Sequence, residues 1–461
     1  MTAQVSVEAD ERYHEPSGYT DTQSVRAGLY LLMAILDAGI VAAAFALSDI
    51  IRHHDIRDMM TVSYWLIVPV FVAVSFYVRA YSYTTLIARH LSIWKAVTAM
   101  LGATAVTIML LFATKNSNDV SRVAFFTGTL FSIIGLVLIR LPLPLLVKRL
   151  GSRFFRRVLI VDGDFVHPIP PGIERIDVAA LGIRPEITDP LMLHRFSRIV
   201  AGADRVMVSC AVEDRERWSL YLKSVDCDGE LLIPELHKVE PLGNAYGLGL
   251  AGVRVSLGCM DMRDRLVKRA FDFCIAVAAL ILLAPAMLAV AIAIRLESPG
   301  PILFRQQRMG RANRLFEVLK FRSMYVDLSD RHGNRSTARG DPRITRVGRI
   351  IRATSLDELP QLLNVIGGSM SLVGPRPHAL GSRAGDNLFW QIDRRYWLRH
   401  TTKPGLTGLA QVRGYRGSTD NADDLIKRLE SDMEYLAQWS LLTDITILAR
   451  TVFVMLHRNA Y

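Results

Sequence analysis

The stretch KRAFDFCIAVAALILLAPAMLAVAIAIR, residues 268–295, decides how this chain is laid out. Its apolar run reaches Ile294 and is long enough to cross a bilayer, which takes roughly 17–25 residues. A crossing would put everything after Arg295 on the far side of the membrane. A re-entrant hairpin would keep both flanks on one face. Pro285 stands near the centre, and a proline removes a backbone donor and breaks the helical ladder, so a bend there is physically reasonable. Basic residues flank both ends, Lys268 and Arg269 before, Arg295, Arg305, Arg308 and Arg311 after. Matching charge on both sides favours the hairpin.

Upstream, four apolar runs, Ala27–Leu47, Val62–Val78, Ala96–Ala113 and Val123–Ile139, predict a membrane α-helical bundle of four spans over residues 26–150. Arg79, Arg89 and Lys95 lie between the second and third, and Lys148, Arg149, Arg153, Arg156 and Arg157 follow the fourth. The positive-inside rule places those segments, and by parity the N-terminus, in the cytoplasm of a multi-pass inner-membrane protein. Residues 1–25 read as a disordered cytoplasmic tail without a cleavable signal. Asp37 interrupts the first run and reads either as a packing group facing the bundle or as a functional group.

Composition agrees with a membrane setting: 51% of the 461 residues are hydrophobic and the mean hydropathy is +0.24. The net charge of +11 suits phosphorylated ligands or an anionic lipid surface. No zinc-finger, RNA-binding or helix-turn-helix pattern accompanies it, so nucleic acid is not an expected partner. Cys210, Cys227, Cys259 and Cys274 have no metal-ligand spacing and read as reduced core residues. Over 157–258 short apolar strands alternate with polar turns, and Val158-Leu159-Ile160-Val161-Asp162-Gly163-Asp164 resembles the opening of a Rossmann-like α/β domain. No GxGxxG follows, so nucleotide binding and a degenerate structural module both stand as readings.

Downstream, residues 262–461 are rich in short motifs. Asp357 and Glu358 are adjacent acids in a basic setting, with Arg343, Arg346, Arg349 and Arg352 before them and Arg376 after. Bare neighbouring carboxylates repel, and arginines or a divalent cation relieve that cost, ingredients that also suit a phosphate-bearing substrate. An aspartate can attack phosphorus through an acyl-phosphate, a second carboxylate can hold Mg2+, and Arg352 and Arg376 can clamp phosphate oxygens. The plain alternative is a helix start, with Ser355 as N-cap and Glu358 completing a capping box. Gly374-Pro375-Arg376-Pro377 and Lys403-Pro404-Gly405 read equally as turns, Lys320 and Arg322 as a solvated strand edge, and His378 and His400 as lone histidines.

Taken in order, Lys268-Arg269-Ala270-Phe271-Asp272, Ser298-Pro299-Gly300-Pro301, Lys320-Phe321-Arg322-Ser323-Met324, Ser355-Leu356-Asp357-Glu358-Leu359-Pro360-Gln361, Gly374-Pro375-Arg376-Pro377, Lys403-Pro404-Gly405-Leu406-Thr407-Gly408 and Trp439-Ser440 with Asp444 resemble the bacterial sugar transferase family, the polyprenyl-phosphate hexose-1-phosphate transferases. The four spans and the α/β module resemble its long form, which starts exopolysaccharide or capsule repeat units. The resemblance implies a monotopic, α-rich α/β catalytic domain whose re-entrant helix, 268–295, breaks at Pro285. It implies transfer of a hexose 1-phosphate, glucose first and galactose second, from a UDP-sugar to undecaprenyl phosphate. Asp357 would be the nucleophile and Glu358 would hold Mg2+. Arg352 and Arg376 would bind phosphates, with Lys320 and Arg322 at the substrate, and Lys268 and Arg269 at the membrane face near the lipid phosphate. Leu409-Ala410-Gln411-Val412-Arg413-Gly414 departs from the family, which commonly has an aromatic after Thr-Gly and a small residue after Gln-Val. A homo-oligomer is compatible with this reading, and a catalytically dead membrane scaffold is its structural competitor.

Overall fold

The computed structural model describes residues 22–53, 62–82, 85–86, 88–114, 121–150, 155–165, 167–239, 252–256, 258, 260, 262–326, 341–415 and 421–456. It comprises two compact units that divide after Arg156. The expected tail, up to Asp21, lies outside the described residues.

The first unit is a helical bundle of α1 (Thr22–His53), α2 (Val62–Tyr77), α3 (Arg89–Ala113), α4 (Arg122–Arg140) and the short α5 (Leu143–Leu150). Aliphatic runs make helices here because lipid leaves every backbone group to be satisfied within its own segment. Segments Val25–Ile51, Arg89–Ala113 and Arg122–Val147 are long and apolar enough to cross a membrane. Among the described residues the second helix has 16 residues, a rise of ~24 Å, and contains Pro69. Val41, Phe45, Ile67, Phe71, Met100, Phe125 and Leu136 form the bundle core. Asp37 is wholly buried within it, accepting from Arg140 Nη2 at 2.5 Å and Tyr81 Oη at 3.0 Å. Arg140 Nη1 reaches on to the carbonyl and hydroxyl of Ser92, both at 3.1 Å. Asp37 therefore ties α1, α3, α4 and the turn after α2 together, as its packing reading expects.

The second unit begins with a sheet of β1 (Arg157–Val161), β2 (Ile173–Asp177), β3 (Arg205–Ser209), β4 (Asp228–Leu232) and β5 (Gly252–Ser256), in the order β2-β1-β3-β4-β5. The first four strands run parallel and β5 is antiparallel to β4. Helix α6 (Pro190–Ile199) carries the crossover from β2 to β3, and α7 (Arg215–Ser224) that from β3 to β4. Val158–Val161 are buried throughout, as a central parallel strand covered on both faces requires. Among the described residues no helix follows β1, so the helix N-terminus that would meet a phosphate in a dinucleotide fold is not formed there. Asp162, at the end of β1, instead accepts from Trp218 Nε1 at 2.7 Å.

The remaining chain builds α8 (Met262–Glu297), the hairpin β6 (Leu303–Met309) and β7 (Leu315–Phe321), α9 (Arg346–Ala353), α10 (Gln361–Gly367), the parallel pair β8 (Ser371–Val373) and β9 (Gly405–Thr407), α11 (Ala422–Ala437) and α12 (Leu441–Leu456). The sequence separates 157–258 from 262–461, but the two share one core, in which Trp218, Tyr221 and Leu222 cluster with Met309, Ala312, Tyr396 and Trp397. Buried Asn313, in the hairpin turn at φ +57°, donates to the carbonyls of Ser224 and Trp397 and pairs with His400.

Helix α8 runs through Pro285 and leaves most of its apolar surface exposed, Ile281, Leu282, Leu288, Ile292 and Leu296 among it. Its two ends are fixed to the same body. Near the start, buried Lys268 bonds Asp444 Oδ2 at 2.6 Å and the Val373 carbonyl at 3.0 Å, and Arg269 caps α10 through the carbonyls of Val365 and Ile366, both 2.6 Å. At the far end Glu297 accepts from the first amides of α9, Arg346 at 2.6 Å and Val347 at 3.0 Å. Asp444 also accepts from Tyr435 at 2.8 Å and Trp439 at 3.2 Å. Removing one partner of such a buried pair strands the other charge, at a cost of about 3–5 kcal/mol. Lys268→Met is therefore expected to lower the unfolding midpoint of the purified protein sharply. Lys268→Met combined with Asp444→Leu is expected to recover most of that loss.

Candidate active site

Helix α9 starts on a side-chain cap, Thr345 Oγ1 accepting from Gly348 N at 2.8 Å. Gly348 is required there, because a Cβ would lie 2.1 Å from the Ser323 carbonyl oxygen. The helix ends at Ala353, and Ser355 at φ +58° reverses the chain into a single 3-10 turn, Leu356–Glu358. A left-handed serine costs of order 1–3 kcal/mol and persists where its surroundings hold it. The expected capping box is not formed. Ser355 makes no capping bond, and α10 begins only at Gln361. The Glu358 carboxylate is taken up elsewhere, by Lys320 Nζ at 2.9 Å and by Arg376 at 2.6 and 3.3 Å.

Those two cations come from separate elements. Lys320 lies on β7 opposite Phe304, so Arg308, four residues further along β6, shares its face of the hairpin. Asn364 of α10 locks β7 in place, accepting from Leu319 N at 2.9 Å and donating to the Glu317 carbonyl at 2.7 Å. Arg376 sits between two prolines, which have no N–H, so carbonyls are the main handles on this loop. Each is held by a different segment: Pro375 O by Gly405 N at 3.0 Å, Arg376 O by Arg399 Nη2 at 2.9 Å, Pro377 O by Arg308 Nη1 at 3.2 Å. Gly405 is needed for that approach, since a Cβ would fall 2.1 Å from Gly374 N. Arg399 is itself buried, paired with Asp432 at 2.7 Å and bonded to His378 Nδ1 at 2.6 Å. Burial and then the Arg399 charge push His378 far below the usual histidine range, so it accepts as a neutral ring.

The two carboxylates differ in state. Burial opposes ionisation of Glu358, but Arg376 and Lys320 outweigh it and hold the group well below the usual glutamate range. Asp357 is half-buried and makes no hydrogen bond or ion pair among the described residues. Burial lifts its pKa above the usual aspartate value; the neighbouring Glu358 charge adds to this, against the pull of Lys320, Arg352 and Arg376. Burial and the Arg376 charge lower Arg308 to about 10, so three cations are crowded around one ionised glutamate and one unpaired aspartate. Among the described residues no three His, Cys, Asp or Glu side chains converge as a metal cage. Two adjacent carboxylates, one of them unpaired, fit a Mg2+ that takes one or two protein oxygens and fills its shell with substrate phosphates.

The predicted residues thus divide. Asp357, Glu358, Lys320 and Arg376 come together, with Arg352 acting on Asp357 from the last turn of α9. Arg322 does not join them: it is buried at the end of α8, donating to the carbonyls of Ser298 and Pro299, both at 2.7 Å. Lys268 and Arg269 are spent on the carbonyls and the carboxylate described above rather than presented to a ligand. In the sequence Arg308 stands only as a flanking charge of the apolar run, and Arg399 and Asp432 belong to no motif. Strand parity could have found the first; the buried Arg399–Asp432 pair had no local signal.

Residues 263–458 match the family described as bacterial sugar transferase. The chain is 51% identical over 199 residues to the undecaprenyl-phosphate glucose phosphotransferase of Komagataeibacter xylinus, covering 43% of this chain and 37% of that protein. It is 49% identical over 196 residues to the exopolysaccharide production protein PSS of Rhizobium leguminosarum bv. phaseoli, covering 42% of this chain and 98% of the relative. A similar match, 49% over 195 residues, joins it to the UDP-glucose:undecaprenyl-phosphate glucose-1-phosphate transferase of Caulobacter vibrioides, with 42% and 72% covered. The alignment therefore spans little more than a third of the first relative and nearly all of the second.

The contrast between the two acids is measurable without a substrate. In a pH series a water-soluble carbodiimide, which consumes protonated carboxyls, is expected to label Asp357 up to a higher pH than Glu358 in peptide mapping. Lys320→Met removes a cation that favours the ionised form. It should raise the Asp357 pKa further and carry its labelling to higher pH.

Proposed function

The chain belongs to the bacterial sugar transferase family, and on that premise we propose that it moves glucose 1-phosphate from UDP-glucose to undecaprenyl phosphate, releasing UMP. UDP-galactose is the second donor in this reading. The observation that carries it is the pairing of an unbonded, half-buried Asp357 with a Glu358 fixed by Lys320 and Arg376. An aspartate held free of hydrogen bonds among cations is suited to attack, while a glutamate locked between two of them is not.

In the proposed sequence an Asp357 carboxylate oxygen attacks the sugar-bearing phosphorus of UDP-glucose. The bond from that phosphorus to the bridging oxygen breaks, and UMP leaves with the electron pair. An oxygen of the acceptor phosphate then attacks the same phosphorus, the Asp357–phosphorus bond breaks, and the carboxylate is restored. The product is a lipid-linked diphosphate sugar. Arg376, Lys320 and Arg352 neutralise the phosphate charge that both steps concentrate. When bound, Mg2+ would add Lewis-acid neutralisation of the diphosphate, held by Glu358 and Asp357 oxygens together with substrate.

A re-entrant α8 in the inner membrane, with the site facing the cytoplasm, belongs to the same proposal. Support comes from the two ends of the helix. Arg269 at its start holds the Val365 and Ile366 carbonyls, and Glu297 at its end holds the amides of Arg346 and Val347, so both ends close on one short stretch of chain. Pro285 is placed for a bend between them. The exposed apolar surface of α8, with Ile350 and the outer face of α12, would then rest in one leaflet.

Purified protein with labelled UDP-glucose, Mg2+ and undecaprenyl phosphate is expected to release UMP and make the lipid-linked product. Asp357→Asn should reduce this by at least ~10⁴-fold, as loss of a nucleophile does, while still inserting into membranes. Full activity in that variant would exclude Asp357 as nucleophile. Because attack needs the ionised form and the Asp357 pKa is raised, turnover should fall on acidification at a pH above the ordinary aspartate range. Lys320→Met should move that acid limb upward in the pH–rate profile.

A further inference from the structure

Beside Glu358 lies a cavity of about 140 Å³, walled by Leu359, Leu372, Leu406, Val412 and Leu448. Its few polar groups are Ser355, Glu358, Thr407, Gln411 and Thr451, and the two threonine hydroxyls bond each other at 2.7 Å. Aliphatic surface left beside water is costly, and an apolar ligand that covers it relieves that cost. We propose that this cavity receives the first isoprene unit, the one next to the phosphate, of a polyprenyl phosphate acceptor; the inference rests on the transfer reading above.

Three observations choose this occupant. The first is helix α12, which supplies Leu448 and Thr451 to the cavity and turns Leu442, Ile445, Val452 and Phe453 outward, all exposed. At 100° per residue Leu448 falls between that outer stripe and the buried side marked by Asp444 and Ile447. The cavity thus adjoins, along one flank of a helix, a surface suited to lipid. The second is charge: neither Arg376 nor Lys320, which both bind Glu358, is among the cavity's lining residues, and no other cation is. The anionic end therefore belongs on the Arg376 and Lys320 side and hydrocarbon on this one. The third is size: one isoprene unit fills ~100 Å³ on ordinary packing densities, so the space holds the first unit and directs the rest outward.

The two half-reactions separate this site from the donor site. Leu448→Trp, and Val412→Phe on another wall, should leave the burst of UMP from UDP-glucose without lipid within about twofold of wild type. Both should lower kcat/KM for undecaprenyl phosphate at least tenfold. An intact burst also reports that the variant is folded. A burst slowed at least tenfold with unchanged kcat/KM for the acceptor would assign the cavity to the nucleotide sugar, and no change in either step would leave it without a ligand; both results overturn the proposal. Photocrosslinking of the full chain with a benzophenone-tagged farnesyl phosphate gives a readout free of turnover. Label on the Leu406–Val412 or Leu448–Thr451 peptides is expected, reduced by Leu448→Trp, and label confined to other segments would refute the site. A wild type without any UMP burst but with this crosslink would instead sink the two-step transfer and leave the lipid site standing.

Discussion

The Glu358 carboxylate, held at once by Lys320 from β7 and Arg376 from the loop after β8, is the constraint on which this site depends. Two adjacent acids in a half-buried turn disfavour each other's ionisation, because the second charge forms against the first. The two cations settle the matter on one side. They take Glu358 as a fixed anion and leave Asp357 next to it without a bonded partner, raised by burial and by its neighbour's charge. The difference between the acids is therefore made by what reaches them, not by their residue type or position in the turn.

Much of the surrounding architecture keeps those cations in place. Proline on both sides of Arg376 removes the amides that would normally secure a loop, so three carbonyls are gripped by Gly405, Arg399 and Arg308. Arg399 can serve this way because Asp432 balances it inside the protein. Asn364 pins β7 to α10, fixing the distance between Lys320 and the turn that carries Glu358. Farther out, Lys268 and Asp444 join α8 to α12 through β8. Arg399 and Lys268, buried in these supports, are each paired with a carboxylate, which offsets the cost of holding a charge in a low-dielectric interior.

The sequence showed which residues were chemical but not which of them faced the same point. The acid pair, the Pro-Arg-Pro loop and the apolar helix around Pro285 were legible because each has a local signature: adjacent charge, fixed φ, unbroken hydrophobicity. Lys320 and Arg322 stand two residues apart in one basic motif, yet Lys320 meets Glu358 while Arg322 closes the end of α8. A basic side chain that binds a ligand and one that caps carbonyls look alike in sequence, because the partner lies dozens of residues away. The capping box failed for a related reason. Ser355 and Glu358 have the right spacing, but stronger partners for the glutamate arrive from β7 and the loop. The fusion of the α/β sheet with the C-terminal half was also hidden, since it turns on Asn313 in an ordinary hairpin turn.

Charge and hydrocarbon also divide this site. On one side Arg308, Arg376 and Lys320 offer charge to phosphate; on the other, five aliphatic residues reach toward the exposed apolar face of α12. A nucleotide sugar is soluble and anionic, and a polyprenyl phosphate is anionic at one end only. In the proposed transfer both bring phosphorus to Asp357, which asks that the cations be shared and that the hydrocarbon have its own wall. A two-step exchange suits that geometry, because the shared cations need hold only one phosphate-bearing partner at a time. A fixed Glu358 between wall and cations then has a positional role as well: it keeps Arg376 and Lys320 from collapsing onto the unpaired Asp357, whose freedom the proposed attack requires.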